Sequence, residues 1–355
     1  MKLDVSHFQR SERVAGIIGL AALAPGAILA WRFPAALAPA WRCAVFIWVG
    51  PALGSWVFGS IQQMTGGVWA HDLRAFLLAG IRLLPWTWLL VLPLLGEGLR
   101  EPIAGPGFGY ETVAAFALRT VLYGVVFFLF SRWMRKAWPK EGRAEKFTWV
   151  GPTGAIVVLF MTHLMADDWL ASLDPHWHST AFAVVWLCGQ AVAGLAIAIL
   201  GAIFAGANPA RPIGYHRFLG IDWGSLLFAT VMFWCYVAFA QFLIVWSGNL
   251  PVEASWYTRR LGGFWRCVPL AILLTQFLAP LIVLLSRRAK QKRRPLAMVA
   301  ILLVGGQSLY TAWMILSAFS EAPAATPWLA LVLVCAVGGV FTNRYLAVAR
   351  KEIAP

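Results

Sequence analysis

The sequence predicts an all-α, polytopic integral membrane protein. Of its 355 residues, 60% are apolar and only 12% are charged, against roughly a quarter charged in soluble domains. Apolar runs of about 20 residues, each enough to cross a hydrocarbon core of ~30 Å, recur along the chain. Many of the 20 Trp stand near the ends of those runs, where an interfacial aromatic belt would place them.

In chain order the runs fall near 14–33, 43–64, 75–96, 113–134, 147–166, 178–206, 224–247, 264–286, 296–319 and 328–348, giving about ten transmembrane helices. The first resembles a signal peptide in its basic approach, but it is long and no clean cleavage site follows Ala27-Ile28-Leu29-Ala30. The third contains Arg82 and Pro85. Proline is tolerated where neighbouring helices satisfy the freed carbonyl, whereas an in-span Arg needs a partner or a route to the interface. Arg119 raises the same question in the fourth. Loops are short and no linker divides the chain, so residues 1–355 read as a single membrane domain.

The formal charge of +14 would suggest nucleic acid in a polar chain. Here its distribution is an orientation signal. Segments on the side of the termini hold 21 Lys and Arg and the alternate loops hold 6, with Arg82 and Arg119 inside spans. By the positive-inside rule both termini are expected in the cytoplasm, and the run from Ser286 to Pro295 is a topology determinant rather than a nucleic-acid patch. The opposite face is left comparatively acidic.

Several chemistries have no residues to stand on. The five cysteines (Cys43, Cys188, Cys235, Cys267 and Cys335) are dispersed without C-x-x-C or C-x-x-C-H, which leaves iron–sulfur and covalent haem unsupported and makes them small packing residues. Of the six histidines only His163 lies clearly within a span, too few for a dihaem subunit. His7 is in the tail, His71 and His216 are in loops, and His176 and His178 flank a helix start without the further ligands a metal site requires. Walker, G-x-S-x-G and H-E-x-x-H motifs are absent.

Two stretches on the acidic face concentrate the informative polar residues. In Met161–Thr180, His163 and Asp167 are four apart on one helical face, so the carboxylate can hold the imidazole proton and the pair can relay protons. Asp168 joins them as a proton-transfer candidate. Both acids read equally as solvated loop residues. Asp174 before Pro175 has the pattern of a helix cap for the sixth span. In Gln241–Trp265, Gly248 and Asn249 are expected to end span seven, Pro251 to start a short interfacial helix with Glu253 in its first turn, and Gly262-Gly263 to turn the chain into span eight. Gln241, polar within an aromatic span, is expected to face the bundle or a cavity. With Asn249 and Glu253 it forms a candidate polar pocket.

Asp168-Trp169-Leu170-x-Ser172-Leu173-Asp174-Pro175-x-Trp177-x-Ser179-Thr180, followed by Gln241-Phe242-Leu243-Ile244-x-Trp246-x-x-Asn249-Leu250-Pro251-x-Glu253-x-x-Trp256-Tyr257 and a downstream Arg, resembles the ActF subunit of alternative complex III, a bacterial quinol:electron-acceptor oxidoreductase. Asp174, His178 and Val252 stand where that family is expected to carry Glu, an aromatic and a second Glu. The resemblance implies ten helices arranged largely as two four-helix bundles with peripheral helices. It also implies a place in the bacterial inner membrane, a role in quinone binding, for which Gln241, Asn249 and Glu253 are the candidates, or in proton transfer, and no covalently bound cofactor of its own. Haem c and iron–sulfur groups would sit on partners: a multihaem cytochrome c and an iron–sulfur subunit, beside an NrfD-like membrane subunit and a haem–copper oxidase. A secondary transporter and a purely structural anchor for periplasmic partners are the competing readings. A transporter should show matching broken helices in two halves, and spans three and eight, with Leu84-Pro85 and Val268-Pro269, are the pair to compare.

Overall fold

The computed structural model describes residues 5–98, 112–138, 149–174, 177, 179–214, 217–319 and 321–353. It is almost entirely helical, and among the described residues the only strands are Pro212–Gly214 and Arg217–Phe218, paired antiparallel. The ten expected apolar runs correspond to ten helices of spanning length among these residues. We number them span 1 (Phe8–Arg32), span 2 (Pro34–Thr65), span 3 (Arg74–Leu94), span 4 (Val113–Ala137), span 5 (Val150–Leu173), span 6 (Phe182–Phe204), span 7 (Leu219–Gly248), span 8 (Gly263–Leu285), span 9 (Arg293–Leu316) and span 10 (Thr326–Ile353). The protein is a multi-pass membrane protein.

Spans 2, 3, 4 and 5 pack in a ring, and spans 6, 7, 8 and 9 form a second ring joined to the first where span 2 lies against span 6. Span 10 covers spans 2 and 3, and span 1 packs on span 10 with most of its surface outward. This is the two-bundle arrangement with a peripheral pair. Without a hydrophobic drive between helices in lipid, close backbone approach must supply the contact, and small residues permit it. Gly54 and Gly194 make the crossing between the rings, where a Cβ on Gly194 would lie 2.6 Å from the Gly54 carbonyl carbon. Gly19 and Gly339 do the same between spans 1 and 10. Gly339→Leu is therefore expected to prise span 1 from span 10 and to cost about 1–3 kcal/mol by overpacking, read as a lowered melting temperature in detergent. An unchanged melt would mean that span 1 does not depend on this contact.

The ends of the chain are tied together on one face, here called the terminal face. Arg350 pairs with Glu12 at 2.7 Å, and Asn343 donates to the Glu12 carbonyl. The in-span Arg82 has its partner there: Glu352 receives it at 2.9 Å and Arg74 at 3.4 Å. Span 3 runs helically through Pro85. Span 8 is discontinuous, passing from a 3-10 turn (Gly263–Cys267) through a helix (Val268–Ile272) to a π-helical segment (Leu273–Leu278) and a final helix (Ala279–Leu285). Pro280, just past the π segment, lacks the N–H that would close a regular turn onto the Gln276 carbonyl.

Trp31, Trp149 and Trp328 are exposed near span ends, as a belt requires. Trp177 and Trp256 are not belt residues: they are 1% and 2% exposed and stack on each other with centroids 5.0 Å apart. Proximity to a span end does not say whether a ring faces lipid or protein. Cys43 and Cys188 are buried packing residues, while Cys267 and Cys335 lie on the exposed surface.

Candidate functional site

The face opposite the termini collects the connection between spans 5 and 6 and the connection between spans 7 and 8. At the end of span 5, His163 and Asp167 stand on one helical face as expected, 3.6 Å apart and each about 40% exposed. Asp168 turns the other way. It is 3% exposed, and Arg119 of span 4 grips both its oxygens, with Nη2 donating at 2.7 Å and Nε at 3.1 and 3.0 Å. The Tyr123 hydroxyl adds a third donor at 2.6 Å. Arg119 and Tyr123 are four apart, so both project from one face of span 4. The ring of Tyr123 packs edge-on against Trp88, which in turn meets Trp169. Sequence spacing assigns Arg119 no partner. It leaves out Tyr123 altogether, which offers no signal in an aromatic span.

Asp174 is not a helix cap. Span 6 begins at Phe182 with Ala181 at its N-cap position and no side-chain cap bond. Asp174 ends the 3-10 turn Ala171–Leu173 and is 1% exposed, ion-paired with Arg259 and, at 2.6 Å, with Arg260. Two guanidinium groups outbid the local backbone N–H groups that the Asp-Pro pattern advertises. Pro175, His176 and His178 lie outside the described residues.

Arg260 closes this node. It is 1% exposed, its guanidinium lies 4.0 Å over the Trp256 ring, and its nitrogens donate to the carbonyls of Trp256 (3.1 Å) and Met314 (3.3 Å). Trp313 of span 9 donates back to the Arg260 carbonyl at 3.1 Å. Burial pulls the Arg260 pKa down and the Asp174 carboxylate pulls it back up. Neighbouring Tyr257 is pushed up to about 12 by burial. Asp174, Arg260 and the stacked Trp177 and Trp256 thus bolt together both connections and the end of span 9.

The expected interfacial helix is present as Pro251–Arg260, with Pro251 at its start and Glu253, half-buried, in its first turn. Asn249 ends span 7 in the left-handed conformation (φ 47°) and is exposed. Gln241 is 5% exposed inside the bundle, as its position in an aromatic span predicts. Among the described residues no hydrogen bond or ion pair joins Gln241, Asn249 and Glu253, so they do not form a connected polar pocket.

The buried polar groups of the second ring form a larger pattern. Spans 6, 7, 8 and 9 each contribute one buried glutamine: Gln190, Gln241, Gln276 and Gln307. Gln276, on the π segment, donates to the Gln307 side-chain carbonyl. Gln190, Gln307, Ser308 and Thr311 border a cavity of about 20 Å³, the size that holds a single water. Gln190 Nε2, Gln307 Nε2 and Thr311 Oγ1 meet no acceptor or donor among the described residues. Gln190, Gln276 and Gln307 share the signal that singles out Gln241, a polar residue in an apolar run. Among the described residues no cluster of three or more His, Cys, Asp or Glu is placed to hold a metal ion.

No protein-family model and no curated protein matches this chain.

Proposed function

We propose that the chain is a membrane subunit of a respiratory quinol:electron-acceptor oxidoreductase of the alternative complex III type, lying in a bacterial inner membrane with cytoplasmic termini and contributing quinone binding or a proton-transfer path. One observation carries this reading. The two sequence stretches that bear the resemblance meet in space through Asp174, Arg259 and Arg260 and through the stacked Trp177 and Trp256.

Quinol oxidation releases two protons, and a group that receives them needs both a basic atom and a way out. His163 and Asp167 suit that role because they are adjacent and half-exposed. Asp168 holds position instead, its oxygens already engaged by Arg119 and Tyr123. The buried glutamines and small cavity of the neighbouring second ring supply the polar interior that a proton path needs.

Native-membrane purification should bring down a multihaem cytochrome c and an iron–sulfur subunit. His163→Ala with Asp167→Asn should then lower quinol-dependent turnover roughly a hundredfold, the typical worth of a proton-transferring side chain, while the complex stays assembled. A chain that purifies alone rejects the reading. Full turnover in an assembled variant rejects the role of the pair.

The discontinuous span 8 favours the transporter alternative, since broken helices line many transport sites. Its counterpart argues the other way: span 3 stays α-helical through Pro85 to Leu89 and is irregular only toward its end, at residues 90–94, so it has no mid-span interruption to match the π segment of span 8.

A further inference from the structure

A groove of about 460 Å³ opens between spans 3 and 4 toward the terminal face, away from the site described above. One end is cationic, lined by Arg82, Arg132 and Arg135. The rest is apolar, with Trp86, Leu89 and Phe128 along its walls, of which Trp86 is 68% and Phe128 58% exposed. Arg132 and Arg135 are exposed and pair with no carboxylate among the described residues, and Arg82 spends one nitrogen on Glu352 while keeping further N–H donors.

The dimensions select the occupant. On span 4 the lining runs from Arg135 to Gly124, eleven residues or about 16 Å of helix at 1.5 Å per residue. That is one leaflet's depth, half of a ~30 Å hydrocarbon core. A cationic mouth at the headgroup level above an apolar trough that ends at mid-membrane fits a molecule with an anionic head and an acyl tail. A quinone ring, being uncharged, would leave the guanidinium groups without a counter-ion.

We propose that this groove binds an anionic phospholipid from the leaflet on the terminal face, its phosphate held by Arg132, Arg135 and Arg82 and one acyl chain laid against Trp86, Leu89 and Phe128. The proposal is independent of the quinol reading. Basic pockets between spanning helices recognise acidic headgroups in this manner.

Purified full-length protein, delipidated in detergent, should gain thermal stability when phosphatidylglycerol or cardiolipin is added. Phosphatidylcholine should give no such gain, and neither should glycerol phosphate, which has the headgroup without the chain. Arg132→Gln with Arg135→Gln should weaken phosphatidylglycerol binding roughly 30-fold, measured by native mass spectrometry. Both residues sit at an exposed helix end, so the variant should fold, which its unliganded melting curve checks. Leu89→Gln, in the apolar trough, should weaken the lipid and leave any response to glycerol phosphate unchanged. Equal response to phosphatidylcholine, response to glycerol phosphate alone, or undiminished binding by the double variant would each overturn the proposal, as would displacement of the lipid by a short-chain quinone.

Discussion

Arg119→Leu is expected to destabilise the protein by about 3–5 kcal/mol, because it strands the Asp168 carboxylate in the interior of the first ring. The Tyr123 hydroxyl alone cannot replace a guanidinium that spans both oxygens. Removing the acid as well should restore most of the loss: Arg119→Leu with Asp168→Leu leaves apolar side chains in an apolar ring, and replacing a buried ion pair by packed hydrocarbon is often neutral. Tyr123→Phe removes one hydrogen bond to a charged acceptor and should cost about 1.5–3 kcal/mol. Melting temperatures of the four proteins in one detergent form the test. If the double variant is as unstable as Arg119→Leu, the pair is not coupled as its geometry requires.

The second large effect is at the Asp174 node. Arg260→Met removes a 1%-exposed cation that packs on Trp256 and bonds the carbonyls of Trp256 and Met314, leaving Asp174 with the half-exposed Arg259. The expected cost is again about 3–5 kcal/mol, and protease cleavage near Asn249 or Ser172 should accelerate as the two connections separate. Arg259→Met should cost far less, since an exposed partner contributes about 0–1 kcal/mol. Equal effects from both arginines would show that burial of Arg260 is not what matters.

The same node has an alkaline limit. Burial raises Tyr257 from its ordinary value of 10.0 to about 12. A raised pKa means that the folded state prefers the neutral phenol, so the stability linked to this group is complete below pH 10 and declines as pH rises through about 12. A spectrophotometric titration should show a late phenolate that Tyr257→Phe abolishes.

The spans were legible because each apolar run has to satisfy a length set by the bilayer. The His163 and Asp167 pair was legible because four-residue spacing on a helix is local geometry. Pairings over distance were not. Arg82 and Arg119 advertise a need for partners, yet Glu352 and Asp168 are 270 and 49 residues away and no local pattern points to them. Asp174 illustrates the opposite error, a strong local cap signal overruled by arginines from a distant connection. The glutamines of spans 6, 8 and 9 were readable in principle, as Gln241 was, from polarity in an apolar run; what only the fold reveals is that they and Gln241 belong to one ring.

The pairing of Arg82 with Glu352 also sets an order of events. With synthesis at about 5–20 residues per second, the 270 residues between them take roughly 15–50 s to make. For that interval span 3 carries a guanidinium whose carboxylate has not yet been translated. The final turn of span 10 is thus the clasp that completes an early helix. Until the final turn of span 10 is made, the Glu352 carboxylate that Arg82 and Arg74 share is missing, and Arg74 keeps, among the described residues, only the Trp138 carbonyl.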